Sequence, residues 1–206
     1  MGRLVSLEGG DRSGKSTQVR LLCEHLVAAG EPHVFLREPG GTAVGESLRA
    51  LLLDPARSEL DPLTELLLFA AARAQLVSEV IRPSLEAGAL VVVDRYLDST
   101  VAYQGSGLGL DRTMVDQVNQ WATGGLLPDR TILFDADPAA LGSRAREGSP
   151  DRIERRGLDF HRRVREGYLS CAARDTRRIK VIDGSRDPMT IHREVLEQLG
   201  SLLERK

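Results

Sequence analysis

Cysteine and aromatic residues are scarce in this sequence of 206 residues, which has two cysteines and only 4% Phe, Trp and Tyr. Cys23 and Cys171 form no C-x-x-C pair, and the four histidines show no zinc-ligand spacing. A disulfide framework and a structural zinc site are therefore excluded, and we expect reduced thiols and a cytoplasmic location. The histidines are interpreted as surface or packing residues: His25, His33, His161 and His192.

Long apolar runs and a charge of one sign are also lacking. No stretch approaches the roughly 18 apolar residues of a membrane-spanning helix, and Met1 leads into a strand-like segment without the basic and apolar regions of a signal peptide. The 28 Lys and Arg nearly balance the 30 Asp and Glu, which leaves a formal net charge of −2. We expect no membrane and no nucleic-acid partner, because so balanced a chain creates no long-range attraction to either.

Short β-rich runs alternate with longer stretches of 3.6-residue periodicity. Helical periodicity covers residues 16–29 and 63–86, and Pro83 should kink or break the second stretch because proline lacks a backbone donor. Strands that alternate with helices predict parallel βαβ units, and the length fits one domain spanning residues 1–206. The predicted strands are residues 4–7, 33–36, 90–93, 131–134 and 180–182.

Residues 9–17 read GGDRSGKST and fit the pattern G-x-x-x-x-G-K-[ST], between a predicted strand and a predicted helix. Glycines let successive backbone N–H groups point at phosphate oxygens, and the following helix adds the positive end of its dipole. Lys15 should reach the β- and γ-phosphates, and Ser16 should hold Mg²⁺. We therefore predict a nucleotide site formed by Gly9, Gly10, Asp11, Arg12, Ser13, Gly14, Lys15, Ser16 and Thr17.

Asp94 directly follows four apolar residues in LVVVDRY, at the expected end of a strand. A nucleotide site needs an acid there to orient Mg²⁺ through water or to lie beside the transferred phosphate. Such an aspartate by itself could equally cap the next turn, but the upstream phosphate loop favours the functional interpretation. Ser16 and Asp94 are thus the predicted metal-site residues, and Mg²⁺ is the predicted cofactor that accompanies the nucleotide.

A phosphate loop alone does not separate kinases from switches or motors. The N/T-K-x-D guanine motif of GTPases is absent. A kinase whose acceptor is a phosphate must neutralise the repulsion between two anions with fixed cations, and it needs little base chemistry because that acceptor is already ionised at neutral pH. Arginines occur at strand ends, at helix ends and in loops, near where parallel sheets bind ligands: Arg12, Arg37, Arg49, Arg73, Arg95 and a group in residues 144–156.

Six segments occur in an order that resembles the bacterial thymidylate kinase family: EGGDRSGKST, REPGGT, LLLFAAARAQ, DRYLDSTVAYQG, LPDRTILFD and DRIE. The resemblance extends from residue 4 to about residue 199, and DRYLDSTVAYQG is highly specific. It implies an α/β fold of the three-layer P-loop type, with a five-stranded parallel sheet flanked by helices. It also implies a homodimer that transfers the γ-phosphoryl group of ATP to dTMP, giving dTDP and ADP in dTTP biosynthesis.

The resemblance further assigns an acceptor site. It implies that arginines surround the dTMP phosphate and that Glu38 approaches the 3′-hydroxyl. Phe69 would stack on thymine, Arg73 would reach its O4, and Tyr103 would crowd the place of a ribose 2′-hydroxyl. The implied dTMP-binding residues are Glu8, Arg37, Glu38, Arg49, Phe69, Arg73, Arg95, Thr100, Tyr103 and Gln104.

The spacing of these residues is consistent with a shared site. Phe69 and Arg73 are four apart on a predicted helix, and Thr100, Tyr103 and Gln104 follow i, i+3 and i+4, so each set should share a face. Without the resemblance, Phe69 would be interpreted as an ordinary core aromatic residue.

The resemblance makes residues 144–157 a lid that closes over ATP and excludes water. Some bacterial members lack an arginine in the phosphate loop and supply one from the lid, whereas this chain carries Arg12 in the loop. We therefore predict that Arg12 contacts the γ-phosphate, that Arg144 binds ATP, and that Arg146 and Arg152 are lid candidates. The predicted catalytic residues are Arg12, Lys15, Asp94, Arg95, Arg146 and Arg152.

Two alternatives remain open from the sequence. One is another mono- or deoxynucleoside kinase of the same architecture, and the other is a nucleotide-dependent binding or regulatory module without phosphotransfer. No basic stripe or DNA-binding arm supports the second alternative. Trp121 and Met114 fit one apolar helix face, which favours a contact with the core or with a dimer partner over a ligand site.

Overall fold

Five parallel strands form the centre of the molecule, whose computed structural model describes residues 2–57, 59–141 and 149–203. The strand order is β2-β3-β1-β4-β5, and every neighbouring pair is parallel. All five predicted strands are confirmed, as is the parallel sheet. The strands are β1 Arg3–Gly9, β2 His33–Arg37, β3 Leu90–Asp94, β4 Arg130–Asp135 and β5 Ile179–Asp183.

Helices connect the strands and cover both faces of the sheet. They are α1 Lys15–Ala28, α2 Ala43–Leu53, α3 Pro62–Leu76, α4 Arg82–Glu86, α5 Leu97–Thr100, α6 Arg112–Thr123, α7 Pro138–Leu141, α8 Leu158–Arg174 and α9 Pro188–Leu203. Two π-helical stretches, Val77–Ile81 and Val101–Gly107, continue α3 and α5. Within the described ranges, no helix has both the length and the apolar character needed to cross a bilayer.

Alternation along the central strands gives the sheet two apolar faces. Val5 and Leu7 of β1 pack in one cluster with Leu22 of α1 and Val195 of α9. Leu4, the neighbour of Val5, instead joins the cluster that contains residues of α3, α4 and β3. Helices therefore bury both faces, which confirms the three-layer α/β fold and explains why the central strands are almost continuously apolar.

Pro83 interrupts the predicted helix of residues 63–86, as expected. The chain changes from α3 into the π-helical turn Val77–Ile81 and returns to α-helix at Arg82, with Pro83 in the first turn of α4. A π-helical turn is a known way to accommodate a break in the regular hydrogen-bond pattern, and the first turn is where proline's missing donor costs least. The proline thus divides one periodic stretch into three elements.

The sheet register brings functional residues to one edge. Arg37 at the end of β2 aligns with Asp94 at the end of β3, which aligns with Leu7 of β1. Because the strands are parallel, their carboxyl ends open onto the same side, directly below the loop that follows β1. This edge holds the candidate site.

Candidate active site

The loop between β1 and α1 is held open by unusual backbone conformations. Gly9 and Gly14 have φ values of 143° and 96°, and Arg12 has a φ of 63°, so three positions adopt conformations that most L-residues avoid. A Cβ on Gly9 would lie 2.6 Å from the carbonyl oxygen of Phe134, so no larger residue fits there. Helix α1 begins at Lys15, and its N-terminus completes the predicted anion cradle.

Lys15 lies inside this loop rather than in solvent. Its side chain is 7% exposed, and Nζ donates hydrogen bonds to the carbonyl oxygens of Gly9 at 3.0 Å and Gly10 at 3.1 Å. Burial, together with the nearby positive charge of Arg95, lowers the pKa of Lys15 to about 8. An anionic phosphate in the cradle would act against this shift, because it favours the charged form of Lys15.

Three side-chain oxygens near the phosphate loop are available for contacts with a nucleotide and its Mg²⁺. Asp94 Oδ1 and Ser13 Oγ are buried and have no hydrogen-bond partner among the described residues, and the Ser16 side chain is exposed at the start of α1. No group of three or more His, Cys, Asp or Glu side chains in the described part of the chain forms a complete metal site. Mg²⁺ prefers one or two protein oxygens together with phosphates and water, so Asp94 and Ser16 fit such an ion.

A cavity opens beside the phosphate loop and is lined by most of the predicted acceptor residues. Arg49 and Phe69 come from α2 and α3, and Tyr103 and Gln104 come from the π-helical stretch Val101–Gly107. Phe69 and Arg73 line the same cavity, as their spacing predicted, and so do Thr100, Tyr103 and Gln104. The second set lies partly in a π-helical stretch rather than in an α-helix. The acceptor cavity, as we call it, is lined by Asp11, Glu38, Pro39, Arg49, Leu53, Phe69, Arg73, Arg95, Ser99, Thr100, Tyr103, Gln104, Asp151, Ile153 and Glu154.

Arg73 lines the acceptor cavity, is only 1% exposed and donates four side-chain hydrogen bonds. Its Nε donates to Glu38 Oε2 at 2.7 Å, and its Nη2 donates to the carbonyl oxygen of Tyr96 at 3.0 Å. Nη1 donates to Thr100 Oγ1 at 2.8 Å and to Asn119 Oδ1 at 2.7 Å. Four partners from separate elements therefore fix the plane of the guanidinium, which preorganises it for a ligand.

Glu38, the ionic partner of Arg73, is buried as well. Burial raises the pKa of its carboxyl group to about 7, even though the charge of Arg73 acts in the opposite direction. Its second oxygen, Oε1, is buried without a hydrogen-bond partner in the described structure. Since an unpaired buried acceptor is costly, this oxygen is available for a donor on a ligand in the acceptor cavity.

Arg95 joins the phosphate loop to the acceptor cavity. With a φ of 70°, it turns back toward the loop, where Nη2 lies 2.7 Å from Asp11 Oδ1 and Nη1 donates to the carbonyl oxygen of Gly9 at 3.0 Å. Nη1 also donates to the hydroxyl of Tyr168 at 3.1 Å, and the guanidinium lies 4.9 Å from the ring centroid of Tyr103. One fixed cation therefore faces both sites, which is the arrangement that two approaching anions require.

Two predicted acceptor residues do not line the acceptor cavity. Arg37 is exposed at the end of β2 and pairs with Glu46 at 3.0 Å. Glu8 is fully buried and accepts hydrogen bonds from the backbone N–H of Tyr96 at 2.8 Å and from Ser99 Oγ at 2.6 Å. The alternation of β1 turns Glu8 onto a face of the sheet, so it supports the residues around the acceptor cavity from below rather than facing a ligand.

Arg152 occupies a different place from the one that a phosphate-binding lid arginine would need. It is 7% exposed, its Nε donates to the carbonyl oxygen of Leu52 at 2.8 Å, and its Nη2 lies 2.7 Å from Glu65 Oε2. In this structure it therefore anchors residues 149–157 to α2 and α3. The other two arginines predicted in this segment, Arg144 and Arg146, lie outside the described residues.

Sequence reasoning missed Glu65, Asn119 and Tyr168. A signal for Glu65 was present, because residues 65, 69 and 73 repeat every four positions and share one face of α3. Asn119 and Tyr168 gave no local signal, since they reach the site from distant elements. Trp121 is 75% exposed on α6, so of the two contacts predicted for it the one with the core is excluded and the one with a dimer partner stays a prediction. Met114 does pack against the core.

Comparisons with known proteins agree with this geometry. The sequence profile of the thymidylate kinase family matches residues 7–195. A thymidylate kinase from Symbiobacterium thermophilum is 46% identical over 206 residues, covering 100% of this chain and 96% of that protein. One from Pelotomaculum thermopropionicum is 49% identical over 205 residues, covering 98% of this chain and 95% of the relative.

A solved structure shows the same likeness in three dimensions. The crystal structure of thymidylate kinase from Ehrlichia chaffeensis matches with a TM-score of 0.78 and 35% sequence identity, covering 96% of this chain and 98% of that one. The fold, the phosphate loop and sequence matches over nearly the whole chain therefore indicate the same family. The chain belongs to the thymidylate kinase family.

Proposed function

We propose that this enzyme transfers the γ-phosphoryl group of ATP to the phosphate of dTMP, giving ADP and dTDP, and that the reaction serves dTTP biosynthesis. One observation carries the proposal: Arg95 bonds the phosphate loop through Gly9 and Asp11 while lining the adjacent acceptor cavity. A fixed cation therefore lies between the phosphate loop and the acceptor cavity. Such an arrangement suits a reaction between two phosphates.

On the donor side, the backbone N–H groups of the phosphate loop hold the ATP phosphates. Lys15 Nζ exchanges its bonds to the carbonyl oxygens of Gly9 and Gly10 for bonds to the β- and γ-phosphates. Arg12 lies in the same loop, is exposed, and contacts the γ-phosphate. Ser16 and Asp94 would hold Mg²⁺ together with the phosphates, and the ion would then supply further neutralisation of charge.

On the acceptor side, Arg95 and Arg49 hold the dTMP phosphate, and Arg37 joins them from the end of β2. Arg49 Nη1 donates to the carbonyl oxygen of Pro39 at 2.9 Å, which fixes its position beside the acceptor cavity. No general base is required, because the acceptor phosphate is largely deprotonated at neutral pH. Catalysis then rests on positioning and on cancelling the repulsion between the two anions.

The nucleoside is held by the remaining residues of the acceptor cavity. Phe69 stacks on thymine, and Arg73 reaches O4 from its fixed position. Glu38 binds the 3′-hydroxyl through its unpaired Oε1, and Tyr103 excludes a ribose 2′-hydroxyl. Thr100 and Gln104 complete the contacts to the base. Glu8 contributes from beneath by holding the backbone and side chains of residues 96–99.

Residues 144–157 form a lid within a one-domain enzyme spanning residues 1–206, and the lid closes over ATP to exclude water. Its described part is attached to the acceptor side, because Arg152 and Arg156 both pair with Glu65 of α3 at 2.7 Å. Arg144 and Arg146 then supply further positive charge near ATP when the lid closes. Closure in this form limits wasteful hydrolysis of ATP.

A homodimer in the cytoplasm is the proposed working form. Trp121 of α6 is 75% exposed and Leu67 of α3 is 50% exposed, on two helices that pack against each other. Exposed aromatic and aliphatic side chains of this kind are enriched at subunit interfaces. Both cysteines, Cys23 and Cys171, are free thiols, which suits a reducing compartment. The proposed small-molecule partners are ATP and dTMP.

A coupled assay of ADP production across dTMP, dUMP, dCMP and dGMP, with and without Mg²⁺, tests the proposal. We expect dTMP to be the best acceptor and turnover to require Mg²⁺. The 5-methyl group is worth only ~1–3 kcal/mol, so dUMP should remain a poor but real substrate. Cytosine presents a donor where Arg73 needs an acceptor, and dCMP should be much worse. A different preferred acceptor, or turnover independent of acceptor, would overturn the proposal.

A further inference from the structure

Glu65 connects two parts of the molecule through separate oxygens. The residue lies on α3 and is fully buried. Its Oε2 lies 2.7 Å from Nη2 of Arg152 and 2.7 Å from Nη2 of Arg156, both in the segment 149–157. Its Oε1 accepts a 2.8 Å hydrogen bond from Nε2 of Gln104. One oxygen therefore faces two guanidinium groups, and the other faces an amide.

The bond to Glu65 decides which end of the Gln104 amide faces the acceptor cavity. A carboxylate only accepts hydrogen bonds, so the amide turns its NH₂ group toward Glu65. Gln104 is 2% exposed and lines the acceptor cavity, and no described residue donates to its side-chain oxygen. A ligand in this cavity therefore meets a hydrogen-bond acceptor at Gln104.

We propose that Glu65 is a positioning residue for base selection, which holds Gln104 as an acceptor for the N3–H of a pyrimidine. This inference rests on the proposed function, and it explains how one class of base is chosen. Thymine and uracil carry a proton on N3, whereas N3 of cytosine is itself an acceptor. Facing cytosine, the fixed oxygen of Gln104 opposes a second acceptor with no proton between them, and the unmet hydrogen bond is penalised.

The two-sided geometry of Glu65 predicts an unusual result for Glu65→Gln. The guanidinium groups only donate, so they keep the oxygen of the new amide at the position of Oε2. Its NH₂ group then occupies the position of Oε1 and faces Gln104. Gln104 must turn its own oxygen toward that donor, which leaves its NH₂ group facing the acceptor cavity. The variant should therefore present a donor to N3, which favours cytosine over thymine.

The test is the ratio of kcat/KM for dTMP to kcat/KM for dCMP, in the wild type, Glu65→Gln, Gln104→Leu and the double variant. We expect Glu65→Gln to lower this ratio at least about tenfold, with KM for dTMP rising more than kcat falls. In the Gln104→Leu background, Glu65→Gln should leave the ratio unchanged, because its effect passes through Gln104. An unchanged ratio in Glu65→Gln, or an equal fall in both backgrounds, would overturn the proposal.

Arg156→Gln is the matched control, because it removes one ionic partner of Glu65 but leaves the bond to Gln104. Its ratio should equal that of the wild type, and a fall as large as in Glu65→Gln would show that the anchored segment is responsible instead. A wild-type measurement avoids any folding defect: 3-methyl-dTMP lacks N3–H and should lose at least about tenfold in kcat/KM. Equal turnover of 3-methyl-dTMP and dTMP would refute the role of Gln104 as an acceptor.

These results separate the inference from the function on which it rests. A wild-type protein that does not phosphorylate dTMP would overturn the proposed function. Normal dTMP turnover with an unaltered dTMP to dCMP ratio in Glu65→Gln would overturn only the role of Glu65.

Discussion

The phosphate loop and the acceptor cavity are built in opposite ways. The loop is one continuous stretch, residues 9–17, whose shape is set by unusual φ values of the main chain. The acceptor cavity is a set of side chains from α2, α3, α5, the stretch Val101–Gly107 and residues 149–157. Local backbone conformation creates the first site, whereas the second depends on buried ion pairs between distant residues, such as Arg73 with Glu38.

This difference separates the expected effects of substitution. An exposed side chain of the phosphate loop, such as Arg12, can be removed with little loss of packing, so its effect should appear in turnover. A side chain of the acceptor cavity also holds the fold together, so its removal should affect stability and substrate binding at once. Three variants, Arg73→Ala, Arg12→Ala and Glu8→Gln, test how far stability and turnover can be separated.

Arg73→Ala should be the most damaging, because it leaves the Glu38 carboxylate buried without its cation and removes a partner from Thr100 and Asn119. Breaking a buried pair from one side costs about 3–5 kcal/mol. The measurement is the free energy of unfolding in urea. Arg20→Ala is the control, since Arg20 forms only an exposed pair with Glu24, worth less than about 0.5 kcal/mol. Equal losses in the two variants would remove the distinction between the two regions.

Arg12→Ala tests the phosphate loop, where we expect turnover to fall without a loss of stability. Arg12 is exposed in the phosphate loop, so the variant should keep its stability. We expect kcat to fall more than about tenfold while KM changes less, because the side chain acts on charge that develops in the transition state. Steady-state kinetics with ATP and dTMP decide the matter, with Arg20→Ala again as the control. An unaltered kcat would end the assignment of Arg12 to the γ-phosphate.

Glu8→Gln should change the pH dependence of stability rather than turnover. Burial, assisted by the nearby charge of Asp98, raises the pKa of Glu8 to about 8. Between pH 4.5 and 8 the unfolded chain has released this proton and the native state still holds it. The contribution of Glu8 to the free energy of unfolding is therefore fully present below pH 4.5. It falls as the pH rises toward 8, by at most about 1.4 kcal/mol per pH unit.

Urea unfolding between pH 5 and pH 8 measures this slope. Because the new glutamine side chain cannot ionise, the free energy of unfolding of the Glu8→Gln variant should depend less steeply on pH. Some dependence should remain, since the pKa of Glu38 is raised as well. Glu24→Gln, at an exposed position on α1, should retain the slope of the wild type. A Glu8→Gln slope equal to that of the wild type would mean that Glu8 does not hold its proton in the native state.

The phosphate loop and the sheet were predictable from the sequence because their signals are local. Residues 9–17 form one motif, and each β-rich run contains its own alternation or apolar character, so all five strands were found. Asp94 was placed at a strand end for the same reason. The acceptor residues were predicted mainly through the resemblance, although the four-residue spacing of Phe69 and Arg73 gave independent support.

Long-range pairs could not be predicted in the same way. Arg152 was expected near phosphate, yet its partner Glu65 is 87 positions earlier in the chain, and nothing in the local sequence announces the pair. Tyr168 is 73 positions from Arg95, with which it bonds. The exposure of Trp121 could not be predicted, because periodicity identifies an apolar face but does not say what covers it. The structure adds these contacts by bringing separate elements together.

The proposed reaction requires that two phosphates meet between the phosphate loop and the acceptor cavity. The most direct measurement incubates the purified protein with Mg²⁺, dTMP and ATP labelled in the γ-phosphoryl group, and then separates the products. We expect the label to move into dTDP, with little inorganic phosphate. Label that stays in ATP, or that appears only as inorganic phosphate whether or not dTMP is present, would contradict it.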